Sequence, residues 1–171
     1  MKADKHFILT DESITIEKGV KLYRILCTKK IPGVYVGEQG GFVESYENLS
    51  ENAWVFDNAK VYGNARVMGT AWVRDTAKVY GDAKVWGTAI VWGNVWVYGN
   101  ARVYDNAEVY GDGLIYGNAI VHGNAKVYDN AIVYGEAIVH GNAKVYGNSK
   151  VYGNALVSGT DEVYDNAEVY A

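Results

Sequence analysis

A six-residue repeat governs this chain from Asn52 to Ala171. Twenty hexads follow one another without insertion, beginning NAWVFD, NAKVYG and NARVMG and ending NAEVYA. Position four is Val in nineteen hexads and Ile in the other, and position two is Ala in sixteen. Apolar residues at these alternating positions predict a short strand with one buried face. Gly, Asp, Asn and Thr dominate positions six and one, where they predict a corner between successive strands.

Successive hexads are expected to coil and stack, because a single hexad cannot bury its own valine. When every third hexad is grouped, position three on one side changes from basic to aliphatic residues. Position five on another side is Tyr in all seven hexads. These tyrosines, which we call the tyrosine column, are Tyr62, Tyr80, Tyr98, Tyr116, Tyr134, Tyr152 and Tyr170. This segregation at a spacing of 18 residues predicts three sides and about 18 residues per coil.

The repeat pattern V-Y-G-N-A-x resembles the hexapeptide repeat of left-handed parallel β-helices over residues 52–171. In that family a branched aliphatic residue and a small residue of each hexad point inward. The resemblance implies an all-β fold, a left-handed and three-sided parallel β-helix of nearly seven coils.

Residues 1–51 are expected to form an N-terminal β cap on the repeat domain of residues 52–171. The stretch SITIEKGVKLYRILCTK alternates on both sides of Glu17-Lys18-Gly19, which predicts a β-hairpin. A cap of this kind covers the open edge and exposed core that a solenoid leaves at its end. Residues 21–65, with GGFV and a following LS, also resemble the start of bacterial and prophage-borne YdcK-type proteins, a family without a securely assigned activity.

Composition excludes several classes of protein. The formal net charge of −4 is spread along the chain, which predicts neither a nucleic-acid partner nor an acidic tail. The apolar runs are too short for a membrane span, and no signal-peptide core follows the first Met. One cysteine, Cys27, excludes an internal disulfide and favours the reducing cytoplasm. No cofactor is expected.

Two histidines are the candidates for chemistry. His122 and His140 occupy position five of adjacent coils, so they should stack about 4.8 Å apart. They could act as a general base or as part of a zinc site, or they could simply replace tyrosine on the surface. No acidic residue is predicted to lie where it would complete a triad with them.

Acidic corners offer a candidate metal site. Asp57 and Asp75 lie one coil apart at the same corner. Stacked carboxylates can bind calcium, but an aspartate in a turn can equally bond to the local backbone.

The exterior columns are the candidate binding surfaces. Stacked tyrosines could stabilise parallel strands, or they could form a platform for a protein, a sugar chain or a nucleobase. Two aliphatic or mixed columns predict an oligomer or partner interface. They are Ile120, Ile138 and Leu156 on one side, and Trp96, Leu114 and Ile132 on another.

These features favour a non-enzymatic binding or assembly module. We expect the protein to be a homo-oligomer. It would be a phage- or prophage-encoded protein that engages a host protein or a small ligand. One alternative, implied by the β-helix resemblance, is a reduced acyltransferase that works as a trimer with acyl-CoA. The lack of any insertion loop in twenty hexads argues against catalysis. A structural, fibre-like component is the other alternative.

Overall fold

The computed structural model describes residues 5–171, which form a three-sided parallel β-solenoid preceded by an antiparallel hairpin. Each strand of the solenoid pairs with the strand 18 residues later, as in the partners Lys60 and Lys78 or Trp96 and Leu114. The predicted all-β, three-sided architecture of nearly seven coils is confirmed.

Each side of the solenoid is one parallel sheet. The tyrosine face contains Lys60–Val61, Lys78–Val79, Trp96–Val97, Leu114–Ile115, Ile132–Val133, Lys150–Tyr152 and Glu168–Tyr170. The tryptophan face contains Trp54–Val55, Trp72–Val73, Ile90–Val91, Glu108–Val109, Lys126–Val127, Lys144–Val145 and Glu162–Val163. The histidine face contains Arg66–Val67, Lys84–Val85, Arg102–Val103, Ile120–Val121, Ile138–Val139 and Leu156–Val157.

The core is a narrow, continuous stack of the inward side chains at positions two and four. Ala59 and Val61, for example, are both completely buried, and most further coils bury an equivalent pair, whereas in the last coil Ala167 is exposed and Val169 is half-buried. Burial of one valine side chain contributes about 1.5–3 kcal/mol before chain entropy is subtracted. Backbone groups at outward positions bond to the next coil, as in the 2.9 Å bond from Lys60 N to Ala77 O.

Corners form where position six takes a left-handed backbone conformation. Gly63 has φ +66° and Asp57 has φ +53°, as the sequence pattern predicted. Side chains at position one then bond along the rod, for example from Asn106 to Asn124 at 3.0 Å and from Asn124 to Asn142 at 3.1 Å. The corners are therefore joined by side-chain ladders as well as by the backbone.

The N-terminal segment adds three strands to the tyrosine face. Strands β1 (Phe7–Thr15) and β2 (Lys21–Cys27) form the predicted hairpin. Strand β3 (Gln39–Val43) then runs parallel to Lys60–Val61. Because β3 pairs Phe42 with Lys60, the 18-residue register already exists N-terminal to Asn52. Short 3₁₀ helices lie at Glu17–Gly19, between β1 and β2, and at Tyr46–Asn48, after β3.

Arg24 of β2 fastens the hairpin to the first coil. Its Nη1 donates to Gly40 O at 2.8 Å and to Asp57 O at 3.1 Å. The guanidinium also lies 4.3 Å from the ring centroid of Phe42. Gly40 is required here for close approach, because a Cβ at this position would lie 2.5 Å from Val55 O.

Candidate binding cleft on the tyrosine face

The tyrosine column is a continuous stack of rings along one face. From Tyr62 to Tyr152, successive ring centroids are 5.0 Å apart and the ring planes differ by no more than 9°. The last pair, Tyr152 and Tyr170, is slightly looser at 5.4 Å and 17°. The strand spacing imposes this geometry, since equivalent side chains in paired parallel strands lie about 4.8 Å apart. All seven tyrosines named from the sequence therefore belong to one surface.

The hairpin turn covers the N-terminal end of this column and creates a cleft of about 480 Å³. The floor of the cleft combines outward residues of three successive coils with two rings of the column. The opposite wall is the turn around the 3₁₀ helix Glu17–Gly19. The complete lining is Ile16, Glu17, Lys18, Val20, Lys60, Tyr62, Lys78, Tyr80 and Trp96. A cleft of this volume is in the range that accepts small organic ligands.

Trp96 provides the largest apolar surface of the cleft. It is 40% exposed, although it lies in the middle of a regular sheet. Its ring makes an edge contact with Tyr80 at 6.5 Å between centroids. The ammonium of Lys78 lies 4.3 Å from the centroid of the same ring, a favourable cation–π distance.

Three lysines and one glutamate set the charge of the cleft. Lys60 and Lys78 are register partners in adjacent strands, so their like charges lie side by side. Partial burial, together with the Lys78 charge, lowers the pKa of Lys60. Lys60 Nζ donates to Asn58 O at 3.1 Å, a neutral acceptor that leaves the charge uncompensated.

The two tyrosine hydroxyls in the cleft stay protonated well above neutral pH. Burial, followed by the neighbouring Tyr62 and Tyr98 and by Glu17, raises the pKa of Tyr80 to about 12. Burial and then the Glu17 carboxylate also raise the pKa of Tyr62. Both hydroxyls are therefore neutral hydrogen-bond donors at physiological pH.

The two histidines stack in one column as predicted, and His122 also has an acidic neighbour. His122 stacks on His140 at 5.1 Å and on Tyr104 at 4.8 Å, as expected for one column. In addition, His122 Nδ1 lies 3.5 Å from Asp105 Oδ2, a carboxylate contact that was not predicted from the sequence. The carboxylate comes from the corner one coil earlier, and its reach depends on a side-chain rotamer that hexad spacing does not reveal.

The corner aspartates bond to the backbone of the following coil. Asp57 Oδ2 accepts a hydrogen bond from Asp75 N at 3.2 Å, and Asp75 Oδ2 accepts one from Gly93 N at 2.9 Å. These carboxylates therefore bond to backbone, as one of the two predicted alternatives has it, but to the next coil and not to their own turn. Among residues 5–171, no group of three or more His, Cys, Asp or Glu side chains is placed to hold a metal ion.

The aliphatic columns lie where the spacing placed them. Ile120 pairs with Ile138 and Ile138 with Leu156 on the histidine face, and Leu156 is 58% exposed. On the tyrosine face the corresponding column is Trp96, Leu114 and Ile132, of which only Trp96 lines the cleft.

Two functional features were missed from the sequence. The first is the wall of the cleft, because a hairpin is recognisable locally but the face it covers depends on how β3 joins the solenoid. The second is that the other two faces also carry continuous columns of stacked rings at position five, of which only the His122–His140 pair was predicted, although the 18-residue spacing contains the whole pattern. These rings are Trp92, Tyr110, Tyr128, Tyr146 and Tyr164, and Trp86, Tyr104, His122 and His140.

Comparison with known proteins agrees with the repeat architecture. The family model of the YdcK β-solenoid repeat matches residues 95–111 and 125–141, each a segment of about one coil. Both matches lie within the repeats, C-terminal to the segment 21–65 on which the resemblance was first noted. No curated protein matches the chain. In the part of the chain that the structure describes, no helix is long and apolar enough to cross a membrane. The matched repeats and the parallel solenoid together support the resemblance to YdcK-type β-solenoid proteins.

Proposed function

We propose that this protein is a non-enzymatic binding module whose ligand site is the cleft on the tyrosine face. The observation that carries this proposal is the 480 Å³ cleft between the hairpin turn and Trp96. It combines aromatic and aliphatic walls with a few convergent polar groups, which is the usual composition of a small-molecule site.

Rigidity of the floor supports the same function. The strands below the cleft are held by backbone bonds to the next coil on both sides, such as Lys78 N to Val95 O at 2.8 Å. Tyr80 is also stacked on both of its neighbours at 5.0 Å. A preformed site loses little conformational entropy when it binds a ligand, so more of the contact energy contributes to affinity.

A matched pair of tryptophan variants tests the proposal. Indole, 2-naphthol and 2-naphthamide would be titrated into ¹⁵N-labelled protein, with amide shifts followed by NMR. We expect at least one probe to shift the amides of Gly19 and Tyr62, and Trp96→Ala to weaken that binding roughly tenfold or more. Trp92→Ala is the control, since Trp92 is 39% exposed on a different face and Trp96 is 40% exposed.

Equal weakening by both variants would place binding outside the cleft and overturn the proposal. Cleft amides that stayed unmoved at saturating concentrations of all three probes and of the charged analogue 2-naphthoate would also contradict it.

The biological setting belongs to the same proposal. We propose that the module acts in the cytoplasm as a homo-oligomer, in the manner of a phage- or prophage-encoded protein that engages a host factor. The single thiol supports a reducing compartment, because Cys27 is buried and its Sγ donates to Lys29 O. A fibre-like structural role would need only stacking of the rods and no occupied cleft.

A second candidate function rests on the contact between Asp105 and His122. A carboxylate 3.5 Å from Nδ1 can orient an imidazole so that Nε2 accepts a proton. In an acyltransferase, that nitrogen would take the proton of an acceptor hydroxyl or amine as it attacks the thioester carbonyl, and coenzyme A would leave as the thiol. Solenoid acyltransferases provide only a fold-level analogy for this chemistry.

Release of free thiol from acetyl-CoA tests this second candidate. Turnover by the wild-type protein that is lost in His122→Ala and reduced in Asp105→Asn would support it. The absence of thiol release with a panel of amine and hydroxyl acceptors would count against it. His140→Ala serves as the control, because His140 stacks on His122 but has no ion pair with Asp105.

A further inference from the structure

We infer that the cleft is selective for a flat aromatic ligand that carries a negative charge, of the chemical class of the aromatic carboxylates. This inference rests on the proposed function, and it adds the charge and shape that the ligand must have. It is drawn from the pairing of charges on the tyrosine face and from the rings that line the cleft.

The lining of the cleft has an excess of positive charge. Lys18, Lys60 and Lys78 line it together with a single acid, Glu17. The chain as a whole has the opposite sign, with a formal net charge of −4. A concave site with positively charged walls attracts anions and raises their local concentration.

Lys60 and Lys78 differ from the three lysines in the C-terminal half of the solenoid. Lys126, Lys144 and Lys150 each form an ion pair with a glutamate one coil away, at distances of 2.8–3.2 Å. Within residues 5–171, neither Lys60 nor Lys78 has a carboxylate at ion-pair distance.

An anion in the cleft would relieve the repulsion between the ammonium groups of Lys60 and Lys78. The two lysines are direct partners in the sheet, an arrangement of like charges that is unfavourable. A carboxylate between them would accept charge-assisted hydrogen bonds from both ammonium groups. On binding, the cleft would therefore gain an ion pair of the kind that Lys150 and Glu168 already form on the same face.

The rings determine the shape of the ligand. Trp96 exposes its indole to the cleft, and the Tyr62 and Tyr80 rings form the adjacent part of the floor. A flat aromatic group can lie against these surfaces and gain stacking as well as burial. The protonated hydroxyls of Tyr62 and Tyr80 add neutral donors, which also favour an acceptor such as a carboxylate.

Another group of cations on the molecule lacks these features. Arg66, Lys84 and Arg102 are register partners on the histidine face, and all three are exposed. They do not line the cleft, so they provide a control surface that is also positively charged but lies outside the cleft.

Paired probes of equal size test the inference. The affinities of 2-naphthoate, neutral 2-naphthamide and inorganic phosphate would be measured by NMR titration at low and at high salt. We expect 2-naphthoate to bind about tenfold or more tightly than 2-naphthamide, with a preference that shrinks as salt rises. Phosphate alone, which lacks a ring, should bind more weakly than 2-naphthoate.

Charge variants then locate the effect. Lys60→Gln combined with Lys78→Gln should remove the preference, so that the affinity ratio of 2-naphthoate to 2-naphthamide falls to about one. Arg66→Gln combined with Lys84→Gln lowers the net charge equally and should leave the preference intact.

The possible failures are distinguishable. Equal affinity for the two naphthyl probes at the cleft would overturn the charge selectivity but leave the binding function standing. Failure of both naphthyl probes to shift the cleft amides would overturn both. Loss of the preference in the Arg66 and Lys84 double variant would assign it to general electrostatics and would overturn the inference.

Discussion

At the scale of single residues, position six and position two of the hexad make opposite demands on glycine. Gly117, at position six, has φ +71°, and an added Cβ would lie 3.0 Å from Gly135 O. Gly113, at position two, lies outside the left-handed region, and the nearest atoms to an added Cβ are at 3.6 Å. A methyl group is therefore strained at one site and accommodated at the other.

This contrast predicts opposite effects of the same substitution. Gly117→Ala should lower the free energy of unfolding by about 1–2 kcal/mol, because L-residues are disfavoured in the left-handed region. Gly113→Ala should raise it by about 0.4–1 kcal/mol through a less flexible unfolded chain. Urea denaturation followed by circular dichroism measures both, and destabilisation by Gly113→Ala would contradict the assignment of position two.

Residue-level roles could be predicted where they depend only on position in the hexad. Inward alanines and valines and the left-handed corners follow directly from the alternation and from the choice of Gly or Asp. The contact between Asp105 and His122 could not be predicted, because it depends on the side-chain rotamer with which Asp105 reaches the next coil. The 18-residue spacing is enough to predict that Lys60 and Lys78 are neighbours. That neither has an acidic partner could be found only from the positions of the surrounding side chains.

At the scale of elements, ring stacking along the tyrosine column contributes to the cohesion of adjacent coils. Tyr116 stacks on Tyr98 and on Tyr134, with centroids 5.0 Å away on each side. An aromatic pair contributes about 0.5–1.5 kcal/mol beyond the area it buries. Tyr116→Ala should therefore lower the free energy of unfolding by about 1–3 kcal/mol, and Tyr116→Phe should change it little.

Tyr35→Ala provides the control for that measurement in the same denaturation experiment. Tyr35 is 75% exposed in the segment before β3, so its loss should stay within about 0.5 kcal/mol of the wild-type value. A Tyr116→Ala variant as stable as Tyr35→Ala would mean that the column does not stabilise the coils.

His6 links the hairpin to the first coil in a way that depends on pH. Its Nε2 lies 3.0 Å from Ala53 O, and its side chain is buried. Burial, which outweighs the hydrogen bond to Ala53, lowers the pKa of His6 from its ordinary value of 6.5. The unfolded chain therefore binds a proton more readily than the folded chain, and stability must fall as the pH drops below about 6.5.

Between pH 7.5 and pH 5.5 this loss should reach at most about 1.4 kcal/mol, the value for one proton over one pH unit. Urea midpoints at both pH values would be compared for the wild-type protein and His6→Gln. The wild-type midpoint should fall more than that of His6→Gln, and His140→Gln should behave like the wild type. Parallel falls in all three proteins would show that His6 is not the titrating group.

The hairpin illustrates what local sequence does and does not specify about an element. Alternation on both arms and Gly19 at the turn were sufficient to predict β1 and β2. The placement of the turn over Lys60, Lys78 and Trp96 depends on the parallel pairing of β3 with Lys60–Val61, which is a contact between distant parts of the chain. The cleft could therefore not be predicted, although most residues of its floor had already been singled out.

At the scale of the whole molecule, the C-terminal half of the histidine face is the surface most suited to self-association. Ile120, Ile138 and Leu156 follow one another in register, and Leu156 is 58% exposed. The same column is basic in the N-terminal half, so apolar and charged surfaces are separated along one side of the rod. Ile120 and Ile138 are half-buried beside the exposed Leu156, and an outward row of apolar side chains usually marks an interface between proteins.

We therefore expect the protein to be a homo-oligomer that Leu156→Glu dissociates. A carboxylate that an interface buries without a partner is costly, so this one substitution should weaken the association strongly. Light scattering after gel filtration, across a range of concentrations, would measure the mass of the wild-type protein and the variant. Lys84→Glu, four coils away on the same face, also makes the chain more acidic and should keep the wild-type mass. A monomeric wild type, or an unchanged mass in Leu156→Glu, would exclude this column as the interface. A wild-type trimer would strengthen the acyltransferase candidate, because solenoid acyltransferases place their histidine between subunits.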